Sequence, residues 1–174
     1  MEGHDCYENY PSSTVIASNV LSISTLAIGA YVLFDVGLIV AGPYLIYFAV
    51  MELNLWRSSC VNCYYYGKTC FSGRGRAAAL LFRKGDPKRM IKKKVTFAAI
   101  LPDLLVAIFP LVGGVYLLLT GFSLLILSMM VALILLATVG NGFVRGKLAC
   151  VHCKQRELGC PAEQLFQRRE TQKD

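Results

Sequence analysis

LLVAIFPLVGGVYLLLTGFSLLILSMMVALILLATVGNGFV, from Leu104 to Val144, contains no charged residue. About 20 apolar residues suffice to cross the hydrocarbon of a bilayer, so this run is long enough for two crossings, with a turn around Thr120-Gly121. The first half of the chain has the same plan. No charge interrupts Asn9 to Phe34 or Val36 to Met51, and Phe34-Asp35-Val36-Gly37 supplies a tight turn. Two very long helices are excluded, because about 45 apolar residues would extend about 65 Å at 1.5 Å per residue.

The predicted fold is therefore all-α, a polytopic membrane protein with four transmembrane helices arranged as two tandem hairpins. The expected spans run from about Ser12 to Leu33, Leu38 to Trp56, just after Lys94 to Leu118, and Phe122 to Phe143. This divides the chain into an arm (1–11), a first hairpin (12–56), a basic loop (57–94), a second hairpin (95–143) and a tail (144–174). Composition agrees. The chain is 55% hydrophobic and 17% charged, against about 25% charged in soluble domains. Glu2, Asp5 and Glu8 precede the first run where a secretory signal would carry Lys or Arg, so the run is read as a mature helix.

Charge orients the bundle. All 18 Lys and Arg lie between Arg57 and Lys94 or between Arg145 and Lys173. The positive-inside rule puts both basic segments, and hence both termini, in the cytoplasm. The expected location is the cell membrane. Ile28-Gly29-Ala30-Tyr31 echoes Val112-Gly113-Gly114-Val115-Tyr116, and Gly37 echoes Gly121. Two-helix repeats keep the same orientation, so the expected symmetry is a pseudo-two-fold along the membrane normal.

Each hairpin is followed by the same motif. Cys60-Val61-Asn62-Cys63 with Cys70, and Cys150-Val151-His152-Cys153 with Cys160, both read Cys-Val-x-Cys-x6-Cys. Cytosolic thiols stay reduced, which favours metal ligation over disulfides. A Cys-x2-Cys turn grips one metal with two thiolates, as in zinc and iron–sulfur centres. Each motif supplies three ligands where a closed tetrahedral site needs four. Three solutions follow: two zinc ions shared through two bridging thiolates, separate sites that borrow His152, Cys6 or His4, or an iron–sulfur cluster.

The cysteine spacing resembles that of the fungal binuclear zinc-cluster domains, whose halves are also Cys-x2-Cys-x6-Cys and related by a pseudo-two-fold. The resemblance covers the cysteines only and implies two zinc ions. A whole helical hairpin separates Cys70 from Cys150 here, so the DNA-binding role of those domains does not carry over, and no nucleic-acid partner is expected.

Two carboxylates fall at the edges of the apolar runs. Asp103 follows Pro102 and is read as lying in the first turn of the third helix, where the helix dipole favours a negative charge. Glu52 is expected to pair with Arg57 or with Lys92-Lys93-Lys94. Trp56 and Tyr64-Tyr65-Tyr66 are expected at the membrane–water interface. Residues 77–82, between basic clusters, are read as a short interfacial helix. The basic loop is expected to attract anionic lipid headgroups. No nucleophile–base set is visible, and the expected function is a non-enzymatic scaffold or accessory subunit, in a larger complex or a homodimer. The alternatives are a redox protein and a small metal-ion transporter or metallosensor.

Overall fold

The turn between the first two helices needs a single residue. Gly37 has φ 150° and ψ 150°, which residues with a side chain rarely adopt. Helix α1 (Ser12–Val36) ends on one side of it and α2 (Leu38–Ser58) begins on the other. Two short helices follow, α3 (Arg74–Leu81) and α4 (Pro87–Lys92), then α5 (Phe97–Thr120) and α6 (Leu124–Leu135). The structure is a computed structural model that describes residues 6–92 and 97–160.

Four helices are long and apolar enough to cross a membrane: Ser12–Val36, Leu38–Asn62, Leu101–Thr120 and Leu124–His152. This is the architecture of a multi-pass membrane protein. Their outer faces are apolar: Ile39 is 90% exposed and Leu119 83%. A bilayer would cover such surface, whereas water would penalise it by about 25 cal/mol per Å².

The fourth helix runs on past Phe143, where it was expected to end. Beyond α6 it continues through two wide stretches with i→i+5 hydrogen bonding, Leu136–Gly140 and Val144–Ala149. Such turns take one more residue each than α-turns. The second apolar helix uses 25 residues and the fourth uses 29, and each ends one residue before the second cysteine of its motif. The wide turns thus take up extra residues without adding their full length to the helix.

Helix α1 packs against α2, α5 and the last long helix, α2 also packs against α5, and α5 against α6. The crossing point is Gly29, which faces Tyr44 of α2 and Pro110 of α5. Pro110 has no N–H to give the carbonyl of Val106, four residues earlier. The Tyr44 hydroxyl donates to that carbonyl at 3.1 Å. Tyr44 is buried with Leu33 and Ala41, and Leu26, Ala30 and Val106 pack around them.

An added Cβ at Gly29 would lie 2.7 Å from Tyr44 Oη and 2.8 Å from Pro110 Cγ. The proline ring cannot rotate away, and displacing Tyr44 would orphan the Val106 carbonyl. Gly29→Ala is therefore expected to cost about 1–3 kcal/mol, read as a lower melting temperature in detergent. Gly42→Ala, with no atom within 4 Å, is the control expected to leave it nearly unchanged.

Pro102 lies inside α5, already helical from Phe97, so Asp103 is in the second turn and not the first. Its residue is exposed, and the neighbouring Pro102 carbonyl accepts a 2.9 Å hydrogen bond from Tyr47.

Candidate metal centre

Both Cys-x2-Cys turns have the same local build. Cys60–Asn62 and Cys150–His152 each form a short 3-10 turn. In each, the second cysteine donates its N–H to the carbonyl of the first, at 3.3 Å in both cases. The second cysteines have matching extended backbones, Cys63 at φ −85° and Cys153 at φ −84°. Three residues on, Tyr66 N–H bonds the Cys63 carbonyl and Arg156 N–H bonds that of Cys153. Two residues on, the backbone N–H of Tyr65 points at the Cys63 sulfur and that of Gln155 at the Cys153 sulfur. The repeat is therefore present in backbone geometry as well as in spacing.

The two turns are also bonded to each other. Tyr64 N–H donates to Gln155 Oε1 at 2.7 Å, and Lys154 N–H donates to Tyr65 Oη at 3.0 Å. In each bond, the residue after the second cysteine of one motif donates to the side chain two after that of the other. Gln155 and Tyr65 are 3% and 2% exposed, so both bonds are sheltered from water. The tyrosine run takes part in this joint. Tyr65 lies in the joint between the motifs, and Tyr66 donates to the Phe82 carbonyl at 2.9 Å.

A third strand of chain ties the joint. Tyr7 N–H bonds the His152 carbonyl at 3.0 Å, pairing Tyr7 with Cys153 as a short parallel bridge. The Tyr7 carbonyl accepts from Tyr65 Oη at 2.6 Å, and the Tyr7 ring stacks on His152 with centroids 4.6 Å apart. Tyr10, buried, donates its hydroxyl to the Ala149 carbonyl at 2.6 Å, and its N–H bonds Thr69 of the first motif. The arm, the end of α2 and the end of the fourth helix thus share one end of the bundle.

Tyr65→Phe would leave the Tyr7 carbonyl and the Lys154 N–H without their partner. Each buried group left unpaired costs about 1–3 kcal/mol. Denaturant unfolding should register that loss, and an unchanged midpoint would remove Tyr65 from the joint.

Glu8 pins the arm from outside. The Lys154 ammonium hydrogen-bonds its carboxylate at 3.1 Å, and Lys68 lies at 3.7 Å. The bond from Lys154 first, and then the charge of Lys68, hold this carboxyl below the usual carboxylate range. The tie is thus present above the ordinary carboxylate pKa and is lost as pH falls through the folded value. Protease cleavage of the arm is expected to rise on acidification through that range. Glu8→Gln should be cut faster at neutral pH and lack that acid step.

The thiols sit in an unusual environment. Burial pushes Cys63 up to about 12, the neighbouring thiols of Cys153, Cys70 and Cys60 adding to the effect and the Tyr65 N–H opposing it. Burial likewise raises Cys153, with Cys160 and Cys150 adding and the Gln155 N–H and Tyr10 hydroxyl opposing. Cys6 is raised by burial, then by Glu157 and by Cys153. The Cys70 sulfur accepts from Gly75 N–H at 3.3 Å. Among the described residues no cysteine is in a disulfide. Among them also, no three His, Cys, Asp or Glu side chains converge closely enough to hold a metal as they stand. His4 lies outside the described residues, and His152 has its ring against Tyr7.

No family model, curated protein or solved structure matches this chain. What the chain does is therefore argued from its own geometry.

Glu52 has a different partner from the expected ones. Its Oε1 pairs with Arg74 and its Oε2 accepts from Trp56 Nε1 at 3.1 Å. The pair borders a cavity of about 410 Å³ between α1 and α2. Sequence position hid this contact, because Arg74 reaches Glu52 only once α3 folds back toward α2. Gln155 and Tyr10 were also missed. The signal for Gln155 was available in the repeat, where it occupies the place of Tyr65.

Proposed function

We propose that the protein is a small membrane scaffold or accessory subunit, with two helix hairpins stapled at one end by cysteine-bound zinc. The observation that carries this reading is the reciprocal pair of bonds, Tyr64 to Gln155 and Lys154 to Tyr65. It supports two cysteine motifs that face each other across a pseudo-two-fold. Helix packing supports the same symmetry. α1 and α5 contact each other, each contacts the second helix of both halves, and α2 has no comparable contact with α6.

On this reading residues 12–56 and 95–143 are the two hairpins, and 57–94 and 144–174 are cytoplasmic segments with the cysteines. The ligands are Cys60, Cys63, Cys70, Cys150, Cys153 and Cys160. Arg83, Lys84, Lys88 and Arg89 offer a basic surface to anionic headgroups or to a larger membrane complex.

Full-length protein purified anaerobically in detergent should be colourless and carry two zinc ions per chain. Stoichiometric iron with visible absorbance would transfer the reading to an iron–sulfur redox protein. Metal uptake into proteoliposomes that fails on Asp103→Asn would transfer it to a transporter.

A further inference from the structure

Two stripes of side chains, one on α1 and one on α2, border the cavity of about 410 Å³. Asn19, Ile23 and Leu26 come from α1, and Phe48, Glu52 and Trp56 from α2. Both sets recur every three or four residues, the spacing of a single helix face. The start of α3 supplies a third wall with Arg74. Small-molecule sites have volumes of about 300–1,000 Å³, so this one is large enough for part of a ligand such as a lipid.

Helix direction sorts the walls by polarity. α1 leads away from the cysteine end and α2 leads back to it. Asn19, Glu52 and Trp56 therefore lie toward that end, and Leu26 and Phe48 lie deeper among the apolar helices. Ser72 and Arg74 complete the polar end, and Asn19 Nδ2 donates to the Ser72 carbonyl at 3.4 Å. On the apolar side Ile23 is 64% exposed, so the cavity is open where acyl chains would surround the helices. Polar at the rim and apolar in its depth, it has the form of a site for an amphiphile.

Charge narrows the headgroup. Among the described residues that line the cavity, Glu52 and Arg74 are the two charged ones, and they pair with each other. The site is thus neutral overall, and an anionic headgroup would meet Glu52 as well as Arg74. A headgroup with both a phosphate and an ammonium satisfies the two together. A guanidinium has five N–H donors and a carboxylate about four acceptor positions. Arg74 directs one nitrogen at Glu52, and Trp56 gives that carboxylate a second bond, so each partner can hold the other and still take a ligand.

We propose that this cavity binds one phospholipid with a zwitterionic, primary-amine headgroup. Arg74 takes the phosphate, Glu52 takes the ammonium, and an acyl chain follows Leu26 and Phe48. The site is separate from the cysteine motifs and from the exposed basic residues around Arg83, and it does not depend on the zinc staple.

Full-length protein in non-ionic detergent, given equal amounts of phosphatidylethanolamine, phosphatidylcholine and phosphatidylglycerol, tests this by native mass spectrometry. Wild type is expected to retain one phosphatidylethanolamine per chain, in preference to the other two by about tenfold, the factor that one lost charged hydrogen bond gives. Phosphatidylcholine has the same charges but no ammonium N–H for Glu52. Arg74→Gln should lose the bound lipid, and Glu52→Gln, which leaves the site positive, should turn the preference to phosphatidylglycerol. Ile23→Trp, a change at an exposed position that the fold tolerates, should block entry and lower occupancy with unchanged circular dichroism and elution volume. Glycerophosphoethanolamine, the headgroup without acyl chains, should not displace the lipid at equal concentration. Equal retention of the three lipids by wild type, or a wild-type preference for phosphatidylglycerol, would overturn the zwitterionic site. Unchanged occupancy in Ile23→Trp would overturn the cavity as its place, and displacement by the free headgroup would overturn the part given to the acyl chain.

Discussion

On the proposed zinc staple, a chelator added to the reduced protein is expected to release the arm and part the two cysteine turns, while the four long helices persist. A structural zinc site contributes an apparent free energy on the order of 10–16 kcal/mol in small peptides. The bonds that hold the joint contribute about 0.5–1.5 kcal/mol each. Tyr65, Gln155, Tyr10 and Tyr7 supply only a few of these, so two metal sites would outweigh them. Without metal, burial favours the neutral thiol at Cys63 and Cys153, and no metal–thiolate bond gathers the turns. The helices have their own apolar packing and should keep their far-ultraviolet signal. Hydrogen exchange at Tyr7, Tyr64 and Lys154 reads the change directly. Equal protection with and without chelator would remove the staple.

Gly75→Ala is expected to be the most damaging single substitution in the first motif. A Cβ there would run into the backbone carbonyls of Tyr65 and Lys68. A backbone carbonyl cannot swing aside as a side chain does, and Gly67 N–H already bonds the Gly75 carbonyl at 3.0 Å. The strain should reach about 3 kcal/mol or more, at or beyond the upper range for an overpacked site. It would also pull Gly75 N–H off the Cys70 sulfur. On the zinc-staple reading the expected readout is zinc loss, weakening both ions because Tyr65 of this turn also bonds Lys154 of the second motif. Retention of both ions would show that Cys70 is not placed by this contact. Gly146→Ala, at a glycine with nothing within 4 Å, is the neutral control.

Much of the fold was legible because a bilayer imposes simple rules. Uninterrupted apolar runs give the spans, and Gly37 marks the first turn on its own. The end of the fourth helix was not legible. Arg145 and Lys147 look like an exit into water, yet the backbone stays helical through them to His152. Local charge does not break a helix whose hydrogen bonds are kept.

The candidate site divides in the same way. Spacing announced the six repeated cysteines, because two thiols on one tight turn are a local property. The partners of Tyr64, Tyr65 and Tyr66 were not legible for the opposite reason. An aromatic near a membrane edge and an aromatic in a polar joint carry the same sequence signal, and its long-range partners appear only in the fold. Glu52 was assigned to Arg57 or to the Lys92-Lys93-Lys94 run, whereas its partner Arg74 is set by the path of the loop.

What the sequence by itself determined is the number of long apolar helices, the turn at Gly37 and the paired cysteine motifs. All of these depend on composition or on residues a few positions apart. Only the tertiary structure decided that the motifs are bonded to each other and strapped by the arm, and that the fourth helix winds wide on its way to Cys150. Those contacts join residues about 60 to 145 positions apart. No local preference encodes them, because they exist only after the apolar helices have packed and brought their ends together.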